Sequence, residues 1–201
     1  MLRFREPLTA DIRDFLNNNA LTEFSYPDVG CTKGRSLPGY NTDRYRIQLG
    51  KGDVSFERSK RALRDWRMFS TEWVRICWPY KKLIPGTVVA AQAHHYGLFS
   101  VNAARIVYVV DEPRRFGFAY GTMGNHMVRG ELLFVVYQEE DGRVFYELTS
   151  ISRPNHWLSW VFYPLTRQLQ TRFAQDSLHA LLEALSGPDV PPRATAIDGG
   201  S

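Results

Sequence analysis

Residues 120–131, YGTMGNHMVRGE, hold the side chains best suited to proton transfer. His126 has an ordinary pKa near 6.5 and can serve as acid, base or hydrogen-bond partner. Glu131 can orient an imidazole, as carboxylates do in hydrolytic sites. Tyr120 offers a hydroxyl at the start of the stretch. The catalytic set these residues suggest is His126 with Tyr120 or Glu131. The competing reading is a hairpin connection in which Glu131 pairs with Arg129 or caps backbone amides. No nucleophile accompanies them: Cys31 and Cys77 are distant in sequence, and no serine sits on a recognisable strand-to-helix elbow.

A second set follows from strand alternation. Over 115–122, Phe116, Phe118, Tyr120 and Thr122 share one side, and Arg115, Gly117, Ala119 and Gly121 the other. The aromatic side suits an apolar ligand, with two hydroxyls near the strand end. The small side suits close backbone approach or sheet curvature. His94 and His95 are adjacent, so they point to opposite faces, and the two cannot chelate one metal from a regular strand. At most one of the two can face an interior, and alternation alone leaves open which; His95 is carried among the ligand candidates. Asn102 falls in a turn read over SVNAA, 100–104. Arg105 opens a strand and can pair with Glu131 or Glu147. Arg153 can meet a carboxylate or phosphate ligand, or pair with an acidic side chain. The ligand-binding candidates are therefore Phe116, Phe118, Tyr120, Thr122, His95, Asn102 and Arg105. No compact metal-ligand pattern or cofactor motif is present, so neither metal nor cofactor is expected.

The elements that must position these groups are legible in outline. Residues 8–18 read as a short helix capped by Thr9, with Ile12, Phe15 and Leu16 on one face. Residues 25–43 are rich in Pro, Gly, Ser and Asn and read as a long irregular connection. RYRIQL, 44–49, alternates as a half-buried strand. Asp53 can cap a helix to about residue 66, with Phe56, Leu63 and Trp66 in one stripe. The period then changes to two. Strands are expected over 72–78, 88–100, 104–111, 115–122, 131–140 and 143–153, the last two joined at the Asp141-Gly142 turn. A long helix is expected from about 156 to 185, kinked or divided near Pro164. The predicted domains are an N-terminal helix and extension (1–40), a sheet-and-helix domain (41–186) and a flexible tail (187–201).

Bulk properties exclude several classes. The 201 residues carry 25 Lys and Arg against 21 Asp and Glu, a formal charge of +4. The excess is arginine interspersed with acids, without a basic block to track phosphates, so no nucleic-acid partner is expected. No apolar run reaches the roughly 20 residues of a membrane span, so no integral membrane association is expected. The N-terminus lacks a signal-peptide pattern, and two cysteines without a metal or framework spacing suit a reducing cytoplasm.

An antiparallel sheet of about seven strands and one long apolar helix bury their faces best when the sheet curls around the helix. This is an α+β helix-grip arrangement of the START-like, or Bet v 1-like, kind. Incomplete contact between a curved sheet and a cylinder leaves an apolar cavity, commonly about 300–1,000 Å³ in ligand-binding proteins. YPDVGCT (26–32), LPGY (37–40), WRMF (66–69), RIVYVVDEPRRFGFAYGT (105–122), His126 with RGE (129–131), and SRP (152–154) together resemble one family. It is domain-of-unknown-function family 1990, also called uncharacterised protein family 0548, and the resemblance covers roughly 25–183. It implies a START-like fold and no settled activity. The expected partner is a hydrophobic small molecule or lipid between sheet and C-terminal helix. The alternative is a cyclase, dehydratase or hydrolase on the same scaffold using His126. A third possibility is a solid interior with no pocket.

Overall fold

The computed structural model describes residues 1–35, 37–77, 82–124, 128–155 and 163–186. Chain order is β1 (Leu2–Arg3), α1 (Thr9–Asn19), β2 (Asn41–Lys51), α2 (Asp53–Arg64), β3 (Val74–Cys77), β4 (Val88–His95), β5 (Leu98–Glu112), β6 (Arg115–Thr122), β7 (Val128–Gln138), β8 (Arg143–Pro154) and α3 (Tyr163–Ser186). The main strand path runs β2-β8-β7-β6-β5-β4-β3, and every pairing is antiparallel. Short β1 adds to β5 beside this path. The sheet curls around α3, so the fold is the helix-grip, START-like arrangement that the element order implied.

Alternation decides which residues meet the helices. The inner face of the sheet packs on α2, the 3-10 turn Arg67–Phe69 and α3 in one core. Phe116, Phe118, Phe134, Tyr146 and Leu148 contribute from the strands, with Leu63, Trp66, Met68 and Leu181 from the helical side. Trp66 follows α2 in the left-handed region, at φ 56°, a conformation a bulky side chain adopts only when its surroundings hold it there. The hold is visible: its ring lies 4.7 Å from that of Phe118 and 5.8 Å from that of Phe69.

Residues 1–40 cover the outer face. Helix α1 lays Ile12 and Leu16 on Ala90, Val101 and Ala103 of β4 and β5. The segment from Phe24 to Tyr40 packs Tyr26, Cys31 and Leu37 against Ile151 of β8. The small side of β6 makes this possible. A Cβ at Gly121 would sit 2.2 Å from Tyr26 Oη, and one at Gly117 would sit 2.3 Å from the Phe134 carbonyl oxygen.

Several boundaries differ from the sequence reading. Residues 88–100 are not one strand. Tyr96 and Gly97 both have positive φ, 51° and 73°, and form a two-residue turn between β4 and β5. Primed turns of this kind usually announce themselves by Asn-Gly or Asp-Gly, and the tyrosine concealed this one. Asn102 consequently lies within β5 and in no turn. Leu8, not Thr9, is the cap residue of α1, and its N–H donates to the Asp11 carboxylate at 3.2 Å. Gly52, not Asp53, caps α2. Pro164 falls in the first described turn of α3, where its missing N–H costs little. The expected start of that helix, 156–162, lies outside the described residues, as does the tail 187–201. Among the described residues, no helix is long and apolar enough to cross a membrane.

Candidate functional site

The inner face is hollow at one end and solid at the other. A cavity of about 260 Å³ lies between the sheet and the N-terminal half of α3. That is below the range common for ligand sites, because aromatic side chains occupy the rest of the space. Phe69 stacks 5.2 Å from Phe173 and 5.6 Å from Phe134, and Phe134 lies 5.5 Å from Phe118.

The polarity of the lining is graded. Phe69, Trp73, Leu132, Leu148 and Phe173 form the apolar floor and walls. Ala91, Ala93 and Ala104 keep the sheet side open because their side chains stop at Cβ. Toward the open strand ends stand His95, Ser100, Asn102, Thr122, Ser150 and Ser152, facing Thr166 and Gln170 on the helix. The β2 rim is pinned to α3 by a bidentate pair: Arg167 donates both Nη groups to Asp43, each at 2.6 Å. Asn41 Nδ2 adds a bond to Tyr163 Oη at 2.9 Å.

Two titratable groups in this lining, His95 Nδ1 and the Tyr120 hydroxyl, make no hydrogen bond among the described residues. His95 Nδ1 is buried without a hydrogen bond. Burial first, and the neighbouring His94 second, hold its pKa below the ordinary histidine value, so the neutral ring is favoured. The ring stands edge-on to Trp73 at 6.2 Å. Tyr120 lines the cavity beside Phe69 and Phe134, and burial alone raises its phenol pKa. Its hydroxyl has no protein partner among the described residues. By contrast, Thr122 is fully engaged: its Oγ1 accepts from Gly130 N at 2.9 Å and meets Ser25 Oγ at 2.6 Å. Ser152 Oγ accepts from Gln170 Nε2 at 3.2 Å.

The residues singled out in sequence therefore divide. Tyr120, Thr122, His95 and Asn102 meet at the cavity. Phe116 and Phe118 share their face but lie deeper, in the solid half, and line nothing. Phe116 lies beneath Arg64, whose guanidinium is 4.5 Å from the ring centre, and Phe118 is sealed by Trp66. Arg105 is on the outer face. It donates to the Ala20 and Thr22 carbonyls at 2.8 and 2.9 Å and stacks on Phe24 at 5.4 Å, without an acidic partner among the described residues. Glu147 pairs with Arg44. His126 lies outside the described residues.

Glu131 does not reach the cavity. It pairs in register with Gly121 on the outer face, while Tyr120 and Gly130 face inward. It is fully buried there. Tyr26 Oη and Gly30 N each donate to Oε2 at 2.7 Å, Thr32 N donates to Oε1 at 3.1 Å, and the Thr32 hydroxyl donates to Oε1 as well. These four donors clasp the turn Gly30–Lys33 onto the sheet. Burial, then the hydrogen bond to Glu131, raises the Tyr26 phenol pKa. Burial, then the Glu131 charge, pushes the Cys31 thiol up to about 12, which keeps it protonated and unreactive. Tyr120 and Glu131 thus stand on opposite faces and cannot act on one substrate. Among the described residues, no group of three or more His, Cys, Asp or Glu is placed to hold a metal ion.

Comparison with known proteins agrees with the fold. The sequence profile of a family described as "Domain of unknown function (DUF1990)" matches residues 25–180. The chain belongs to this family. A UPF0548 protein of Dictyostelium discoideum is 30% identical over 207 residues, covering 92% of this chain and 96% of that protein. A UPF0548 protein of Deinococcus radiodurans is 32% identical over 198 residues, covering 92% and 98%. Among solved structures, a hypothetical protein of Helicobacter pylori superimposes with a TM-score of 0.52 at 11% identity, covering 73% of this chain and 90% of that one. The clasp lies within the matched residues: YPDVGCT (26–32) supplies its donors and RGE (129–131) its acceptor.

Sequence reasoning missed Phe69, Trp73, Ser150, Ser152, Gln170 and Phe173. A signal for part of this set exists. One face of β8 reads Val144, Tyr146, Leu148, Ser150, Ser152, turning from apolar to hydroxylic along its length. The cavity is where such gradients align.

Proposed function

We propose that the protein binds a small, largely apolar molecule carrying one or two hydrogen-bonding groups, in the cavity between the sheet and α3. The observation that carries this reading is His95 Nδ1, buried without a hydrogen-bond partner among the described residues, at a cavity whose walls include Phe69, Trp73, Leu132, Leu148 and Phe173 and which the Tyr120 ring also lines. A buried polar atom left unpaired costs about 1–3 kcal/mol, and a ligand hydroxyl or amide would remove that cost. Scaling from benzene in a cavity of about 150 Å³, the space suits a ligand of roughly ten non-hydrogen atoms. A full-length acyl chain does not fit. We place this activity in the cytoplasm, in keeping with two unpaired cysteines.

The test is titration of 2-naphthol and indole, followed by methyl NMR of Ala91, Ala93 and Ala104, together with native mass spectrometry of the gently purified protein. Saturable shifts of these methyls, lost in an Ala91→Leu variant, support the reading. An absence of shifts at millimolar probe with no co-purifying molecule, or shifts unchanged by the filling substitution, would sink it. An enzymatic reading needs a base facing the cavity. His95 is the described candidate for that role, and Glu131 is excluded by its face.

A further inference from the structure

Arg129 and Arg153 are direct cross-strand partners on β7 and β8. Both lie on the outer face, at the sheet end where Gly39 and Tyr40 pass. Like charges placed opposite one another destabilise a strand pair, so such a pair needs compensation. None is evident among the described residues. Neither guanidinium makes an ion pair with a carboxylate among the described residues, whereas Arg44, Arg46, Arg64 and Arg167 each have one. The Nε atom of each is buried and has no hydrogen-bond partner. The adjoining segments 125–127 and 156–162 contain no Asp or Glu. Glu131 is two residues along the same face, and its oxygens are taken by Tyr26, Gly30 and Thr32. At most it offsets one of the two charges.

Neighbouring residues hold the Arg153 fork in place. Tyr40 stacks on Arg153, with 5.3 Å from guanidinium carbon to ring centre. Gly39 has φ of +75°, and a Cβ there would come within 3.8 Å of Arg153 Nη1. Both arginines are half-buried, so their stems are shelved while the remaining exposure falls on other atoms than Nε. Guanidiniums on directly paired strand positions can each offer a fork of N–H donors to one tetrahedral oxyanion, a recognition stronger and more selective than a point charge.

We propose that Arg129 and Arg153 form a receptor for a phosphate group, separate from the cavity and on the other face of the sheet. The group can belong to a free phosphorylated small molecule or to a lipid headgroup. The experiment titrates inorganic phosphate into the full-length protein at constant ionic strength, with chloride as the balancing anion. Thermal unfolding and phosphorus NMR line width are followed. In parallel, the protein is sedimented with vesicles of phosphatidylcholine with and without phosphatidic acid. Wild type is expected to show a saturable, phosphate-specific rise in melting temperature. Arg129→Met and Arg153→Met are each expected to weaken phosphate affinity roughly ten- to hundredfold, and to melt no lower than wild type in chloride, because the repulsion is gone. Arg46→Met, a paired arginine on the same face, is expected to keep the response. Arg129→Lys and Arg153→Lys, which retain charge and fold, should bind more weakly than wild type because the planar fork is lost. A response to free phosphate assigns the site to soluble ligands, and an arginine-dependent response to acidic vesicles alone assigns it to headgroups. No phosphate-specific response in either arm, or one that survives in both Met variants, overturns the proposal.

Discussion

The two faces of β7 treat buried polarity in opposite ways. Outward, Glu131 is sealed from solvent with four donors on its two oxygens, and nothing remains for a ligand to satisfy. Inward, Gly130 and Leu132 border a space where Tyr120 and His95 carry polar atoms without hydrogen-bond partners among the described residues. A buried carboxylate draws attention as a catalytic group. Here its full complement of partners marks it as a fastener, and the incomplete partners on the other side support the proposed binding site. Satisfaction, rather than residue type, separates the two roles.

The largest test of this contrast is removal of the fastener. Glu131→Ala would leave Tyr26 Oη, Gly30 N and Thr32 N without their acceptor, a loss of about 3–5 kcal/mol. That rivals the whole stability of many domains, so equilibrium unfolding in urea should show a much lower midpoint. Glu131→Gln keeps one carbonyl acceptor and should lose less. A loss below about 1 kcal/mol for the alanine variant would contradict the clasp. A smaller perturbation of the same region is Gly121→Ala. Its new Cβ would collide with Tyr26 Oη at 2.2 Å and Phe24 Cδ1 at 2.8 Å, so overpacking of about 1–3 kcal/mol is expected. The cavity face should be untouched, and probe binding there should survive in the folded fraction.

The inner face can be split in the same manner. Ala62→Leu adds three carbons to the solid half, where Leu63, Trp66 and Phe69 already fill the space, and should cost about 1–3 kcal/mol. Ala91→Leu adds the same carbons beside the cavity. Its stability should change by less than about 1 kcal/mol, in either direction, while probe binding is lost. Equal penalties at the two positions, measured by urea midpoints, would mean that the hollow and solid halves do not differ.

Much of this was readable beforehand, and the misses have physical causes. The sheet, the long helix and the inward aromatic face of β6 follow from periods of two and 3.6, which local chemistry writes directly into sequence. The Tyr96-Gly97 turn escaped because its first residue is strained rather than typical. Asn102 was consequently assigned to a turn when it faces the cavity. Phe116 and Phe118 were placed on the right face, but alternation cannot say how far along a strand the hollow begins. That depends on Trp66, Phe69 and Phe173, which arrive from elsewhere in the chain. Glu131 misled for a related reason. Its partners lie about a hundred positions away, in a loop whose Pro and Gly content announces irregularity and nothing of its destination. The polarity gradient along each inner face was legible in principle. In β5 it runs Ile106, Ala104, Asn102, Ser100, and in β2 it runs Ile47, Tyr45, Asp43, Asn41.

The smallest expected effect concerns protonation at the mouth of the cavity. His95 has its pKa lowered in the folded protein by burial and by His94, so the unfolded chain takes up its proton first as pH falls. The stability this group contributes is complete above the ordinary value near 6.5 and is lost as pH falls toward the lowered folded value. The ring is only part-buried, so the effect is modest. A His95→Asn variant should flatten the stability profile below pH 6.5 relative to wild type. The same titration should appear in probe binding. If the neutral ring contributes a hydrogen bond to the ligand, 2-naphthol affinity should fall as pH drops from 7 to 5 in wild type and stay level in His95→Asn. Parallel pH profiles for the two proteins, in both stability and binding, would remove His95 from the site and leave the Tyr120 hydroxyl to anchor the ligand.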